Sequence, residues 1–163
     1  MIMKTTTKRV TGQKTGGKLA VERSIYIVAP RKRVWRALTA PLETPNYYYK
    51  TRLETKLRRG EPFRYLSSDG ELAVDGELVS VEPESKLVHT LSFPHLKDPA
   101  TRVTYELSDC GPKMTKLDLV HDGFAKANET WKDVQDGWTR ILSSLKTYIE
   151  TGKGIDWPPG MGK

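Results

Sequence analysis

The strongest constraint on this chain lies near its C-terminus. Trp131, Val134, Trp138, Ile141, Leu142, Leu145, Tyr148 and Ile149 recur at helical spacing, so a helix there carries one continuous apolar face. Asn128 is placed to cap its start, Glu129 and Asp133 suit the positive end of the helix dipole, and Gly152 suits the stop. A helix this long and apolar on one side must bury that side against another element.

The preceding residues supply strands. Over residues 19–28, Leu19, Val21, Ile25 and Ile27 largely alternate with polar positions, which predicts a first strand. Pro30 then opens a short helix as its first residue, with Val34, Trp35 and Leu38 on one face. A second short helix or turn covers residues 41–49 and holds Tyr47, Tyr48 and Tyr49. Six more strands are predicted at 52–57, 62–66, 71–81, 86–93, 102–107 and 114–121. Turn residues such as Arg59-Gly60, Asp69-Gly70 and Gly111-Pro112 punctuate them. The connections are of hairpin length, so the sheet is antiparallel. Its concave face is the one available cover for the long helix. The expected fold is α+β: a curved antiparallel sheet wrapped around a long C-terminal helix, with two short helices after the first strand. Residues 19–152 form this domain. A flexible basic tail, 1–18, precedes it, and a flexible tail, 153–163, follows, with Trp157 pinning the latter to the body.

Charge narrows the partners. The chain carries 27 Lys and Arg against 20 Asp and Glu, a net charge of +7. Lys4, Lys8, Arg9, Lys14 and Lys18 all precede the domain, and no acid accompanies them. The body is therefore close to neutral, and the basicity reads as a solvated arm rather than a nucleic-acid surface. Gly12-Gln13-Lys14-Thr15-Gly16-Gly17-Lys18 imitates a phosphate loop, but Leu19 stands where Ser or Thr would hold magnesium, and no buried strand leads into it. A nucleotide site is rejected. The apolar runs are far too short to span a bilayer. A single cysteine, Cys110, rules out an internal disulfide, and with no secretory leader in view a cytoplasmic location is expected.

The order strand, two short helices, six strands, long helix resembles the START-like (SRPBCC, helix-grip) superfamily. Within it the chain is similar to homologues of the activator of the heat-shock-protein-90 ATPase, in their C-terminal-domain-like part. The matching stretches are Ala29-Pro30 with Val34-Trp35 and Ala37-Leu38-Thr39; Asp69-Gly70-Glu71 with Gly76-Glu77-Leu78; Val103-Thr104-Tyr105-Glu106-Leu107; Thr115-Lys116-Leu117 with His121-Asp122-Gly123-Phe124; and Gly137-Trp138 with Leu142, Leu145, Lys146 and Tyr148. The resemblance implies a hydrophobic cavity between sheet and long helix, used across the superfamily for small apolar molecules. The chaperone-activating members carry a further N-terminal domain for which this chain has no room. Tyr47, Tyr48 and Tyr49 stand where the family commonly places tryptophans.

Candidate chemistry is sparse. His89 and His121 fall on the inward faces of their strands, where they read either as hydrogen-bonded core residues or as polar contacts in a pocket. His95 lies in a polar loop, and no His spacing suits a metal. Cys110 sits in a turn with no indicated base. Asp75 and Glu77 share the polar side of a strand. A cavity, if present, is expected to be lined by Tyr48, Tyr65, Val74, His89, Tyr105, His121, Trp131 and Trp138. No catalytic residue, metal or cofactor is expected. The favoured reading is non-catalytic binding of a small hydrophobic molecule. The alternatives are a protein-interaction module that docks on a partner such as a chaperone, and a cyclase- or dehydratase-like enzyme in which a cavity histidine moves a proton.

Overall fold

A computed structural model describes residues 19–161; the basic tail and its loop-like motif lie outside the described residues. Eight strands and two α-helices follow in the order β1 (Val21–Ile27), α1 (Arg31–Thr39), β2 (Arg52–Thr55), β3 (Phe63–Leu66), β4 (Leu72–Val74), β5 (Leu78–Glu82), β6 (Lys86–Leu91), β7 (Thr101–Asp109), β8 (Thr115–Asp122) and α2 (Glu129–Thr151). The fold is α+β and antiparallel throughout, as the sequence predicts. The second short helix is a single 3₁₀ turn, Thr44–Asn46. Pro30 stands one position earlier than expected, at the N-cap of α1, where its carbonyl accepts from the amides of Arg33 and Val34.

β1, β8, β7, β6 and β5 form one sheet in that order, and β2, β3 and β4 form a second. Residues 71–81, which alternate as one strand in the sequence, are broken between β4 and β5. Gly76 sits at the break: a Cβ there would lie 2.2 Å from the Thr90 carbonyl oxygen and 2.9 Å from that of Phe63. Only glycine admits so close an approach of three backbones. The same region stitches the sheets together. Asp75 and Ser92 exchange both backbone hydrogen bonds at 2.9 Å, and the Phe63 amide donates to the Gly76 carbonyl at 2.9 Å. The sheet therefore bends sharply without losing its ladder.

α2 lies in the concavity. Asn128 caps it through its side-chain oxygen, which accepts from the Trp131 amide at 2.9 Å, and Gly152 ends it in the left-handed region. The helix also covers the free edge of β1. Lys146 Nζ donates to the Tyr26 carbonyl, Glu150 accepts from the Val28 amide, and Arg23 of β1 reaches back to the Gln135 carbonyl, each at 2.7 Å. An edge otherwise open to pairing with another chain is thus occupied by side chains. Beyond α2 the chain has no regular element, yet it lies against the body. The Ile155 amide donates to Ser144 Oγ at 3.0 Å, and Gly154 passes so near the Asn46 carbonyl that a Cβ would meet it at 2.1 Å. Trp157 is half-buried nearby.

Candidate functional site

Antiparallel register aligns the inward residues in rows across the five-stranded sheet. One row runs Val21, His121, Val103, His89, Leu78, from β1 to β5. All five are buried. Both candidate histidines therefore point at α2, side by side but for Val103.

Each imidazole is held in a different way. His121 Nδ1 accepts from the Trp138 indole N–H at 2.9 Å, and its Nε2 lies 2.6 Å from Thr101 Oγ1. With Nδ1 accepting, the neutral ring carries its proton on Nε2 and donates to Thr101. His89 has the opposite tautomer: Nδ1–H donates to the Thr90 carbonyl at 2.7 Å, and its buried Nε2 has no partner. Phe63 stacks on His89 at 4.2 Å between centroids. Burial pushes His89 down to about 4 and His121 down to about 3, because a charged ring would sit in a medium too apolar to solvate it. Both are neutral at physiological pH.

The aromatic residues continue this packing. Tyr48 stacks on Tyr65 at 4.0 Å and meets Trp138 edge-on at 6.2 Å; Tyr105 also meets Trp138 edge-on at 6.2 Å. Burial raises the hydroxyls of Tyr48, Tyr65 and Tyr105 above the ordinary tyrosine range. These phenols are therefore protonated and neutral at physiological pH.

A cavity of about 520 Å³ lies between α2 and the β4–β6 region. Tyr48, Val74 and Leu91 line it together with Val134, Gly137, Trp138 and Ile141 of α2, and Leu72, Phe93, Glu71, His95 and Asp133 stand among its remaining lining residues. Its size and mainly apolar lining suit a small organic molecule. Of the eight residues expected from sequence, Tyr48, Val74 and Trp138 border it. Tyr65, His89, Tyr105 and His121 lie in the packed layer behind, and Trp131 is half-buried on the first turn of α2 without bordering it.

Gly137, which the sequence marks only through its place in the family-like Gly137-Trp138 stretch, is a cavity-lining residue absent from the eight expected. It lies in the middle of a 23-residue helix, where glycine costs about 1 kcal/mol relative to alanine. Neither usual reason for a glycine applies: its φ is ordinary, and a Cβ would meet nothing within 4 Å. What its missing side chain provides is space, on the wall of the cavity. A glycine in the apolar stripe of a long helix is the signal that could have revealed it. Among the described residues no group of three or more His, Cys, Asp or Glu could hold a metal ion, and no helix is long and apolar enough to cross a membrane.

A bent antiparallel sheet closed on a long C-terminal helix, with an apolar hollow between them, defines a START-like helix-grip domain. The chain belongs to the family described as Activator of Hsp90 ATPase homolog 1-like protein, whose pattern matches residues 28–150. Among solved structures it is similar to DynU16, from the dynemicin biosynthetic locus, at 25% identity and a TM-score of 0.73; the match covers 87% of this chain and 52% of that one. The chain thus spans about half the length of DynU16. CalU16 from Micromonospora echinospora matches at 23% identity and a TM-score of 0.70, over 87% of this chain and 78% of its own. PFC0360w, an HSP90 activator from Plasmodium falciparum, matches at 19% identity and a TM-score of 0.68, over 83% and 98%. The last two likenesses are of fold. No curated protein matches the sequence.

Proposed function

We propose that this domain binds a small apolar molecule in the cavity between α2, β4 and the segment after β6, and does no chemistry on it. The observation that carries the reading is Gly137, a helix-weakening residue that lines the cavity at a point where a Cβ would meet nothing within 4 Å. A well-packed core would fill such a space. Two lining residues are preorganised: Trp138 is fixed by His121, and Tyr48 by its stack on Tyr65, so little side-chain freedom is lost on binding. Affinity comes from apolar burial, at about 25 cal/mol per Å² removed from water. Neither His89 nor His121, the two buried histidines on which that chemistry would rest, borders the cavity, and a general base must come within hydrogen-bond reach of the proton it takes. That weighs against the cyclase- or dehydratase-like alternative.

Nile red, a neutral dye whose emission rises in apolar surroundings, tests the reading. The wild-type protein is expected to enhance its fluorescence saturably, and Gly137→Leu to weaken the dye's binding at least about tenfold by filling the space. Native mass spectrometry of the fresh protein checks in parallel for a carried molecule. Equal dye binding by wild type and a folded Gly137→Leu variant would sink the proposal.

Docking on a chaperone is the second reading. The family description and the likeness to an HSP90 activator support it. It predicts stimulation of Hsp90 ATPase activity by wild type and Gly137→Leu alike.

A further inference from the structure

One lining residue bears on how long a molecule the cavity admits, an inference that rests on the binding reading above. A second hollow, of about 370 Å³, is bordered by the segment that follows α2, at Gly154, Ile155 and Trp157, together with Tyr47 and Ser144. Among the described residues Tyr49 alone lines both hollows. Its neighbours divide between them: Tyr48 lines the first, and Tyr47 and Lys50 line the second.

The backbone presents Tyr49 at some cost. The Thr51 amide donates to the Tyr48 carbonyl at 2.9 Å, closing a four-residue turn whose central residues, Tyr49 and Lys50, have φ of 49° and 59°. Positive φ at both central positions is the pattern of a type I′ turn, which Asn and Gly fill most readily. A large side chain there is held in a sparsely populated region, so the turn itself gives no reason for an aromatic ring. The far end of the side chain is also fixed. The Arg140 guanidinium engages the Tyr49 hydroxyl. Arg140 in turn pairs with Asp136 at 2.6 Å and donates to the Met161 carbonyl of the C-terminal segment. The ring is therefore tied at one end to a tight turn and at the other to α2.

We infer that Tyr49 is the partition between the two hollows and sets the length of the apolar molecule that the cavity takes. With the ring in place, a bound chain ends against it. With the ring removed, the space continues towards Tyr47, Ile155 and Trp157, whose apolar surfaces cover further methylenes.

Displacement of Nile red by straight-chain primary alcohols from hexanol to dodecanol, each below its solubility limit, reads that length. Each buried methylene tightens binding about fourfold, so the wild-type series is expected to rise and then level at a limiting length. Tyr49→Gly trims the ring and suits the left-handed backbone. In that variant the rise is expected to continue for about two more methylenes, which raises the affinity of the longest alcohol relative to the shortest by roughly tenfold or more. Tyr49→Phe keeps the ring and is expected to retain the wild-type limit. If Tyr49→Gly does not fold, Tyr49→Ala carries the same test. A wild-type series that never levels, an unchanged limit in the trimmed variant, or a limit lengthened equally in Tyr49→Phe overturns the partition while the cavity reading stands. If Nile red fails to bind the wild type at all, the cavity reading falls and this inference falls with it.

Discussion

The hydrogen bond from the Trp138 indole to His121 is one of few polar links between helix and sheet that water does not reach. It comes with a thermodynamic consequence. His89 and His121 are neutral in the fold and have folded pKa values of about 4 and about 3, whereas an unfolded histidine titrates near 6.5. Below 6.5 the unfolded chain therefore binds protons that the native chain refuses, and stability falls as pH drops. Each histidine contributes a slope of about 1.4 kcal/mol per pH unit once the unfolded ring is mostly charged. Glu43 and Glu150, held below the usual carboxylate range by Tyr148 with Arg33 and by Lys146 respectively, lose their contribution only at lower pH, which leaves pH 5–6.5 to the histidines. Urea unfolding across that window is expected to show a slope that grows from about one proton at pH 6.5 to nearly two at pH 5 for wild type, and about half that for His89→Phe, whose ring can keep the stack on Phe63. Identical slopes would mean that His89 is charged in the native state. The inward direction of both rings was legible in the sequence, because alternation fixes the face of a strand. Their distance from the cavity was not. Leu87, His89, Leu91 and Phe93 share one face, but only the last two border the cavity. Where the helix stops covering the sheet depends on packing between elements far apart in sequence.

At the scale of the element, α2 and the strand that breaks at Gly76 make opposite cases. The ends of α2 could be read from Asn128 and Gly152, since caps act within one turn. The break could not, because residues 71–81 keep their alternation across it, and the crowding comes from Thr90 and Phe63 on neighbouring strands. Gly76→Ala pushes a methyl to 2.2 Å from a carbonyl oxygen that is itself held in the ladder. Relief would require β4, β5 or β6 to move and the Asp75–Ser92 pair to open. A loss of roughly 2–4 kcal/mol is expected, in the range where strain joins lost hydrogen bonds, read as a lowered urea midpoint. A loss below about 0.5 kcal/mol, the size of an ordinary surface change, would show that the bend is soft and the sheets are not rigidly joined.

For the whole molecule, the order of elements foretold the architecture, while the hollow inside it gathers residues as far apart in the chain as Tyr48, Val74, Leu91 and Trp138, which only the assembled fold brings together. The resulting space forgoes dispersion contacts that a filled core would have. Stability and binding should then oppose one another at Gly137. Gly137→Ala removes a backbone-entropy cost and is expected to raise stability by about 0.5–1 kcal/mol, while Gly137→Leu adds packing as well. A bound molecule does the same for wild type through mass action, adding about 2.7 kcal/mol at a ligand concentration one hundred times Kd. For a domain of this size that corresponds to a rise of roughly 5–10 °C in Tm. Thermal unfolding with and without saturating Nile red should therefore raise Tm in wild type and leave it nearly fixed in Gly137→Leu, whose Tm without ligand already exceeds that of wild type. A Gly137→Leu variant that is less stable than wild type and still shifts with the dye would mean that residue 137 packs against structure rather than space. The cavity's opening would then have to be sought at the Tyr48–Tyr65 stack instead.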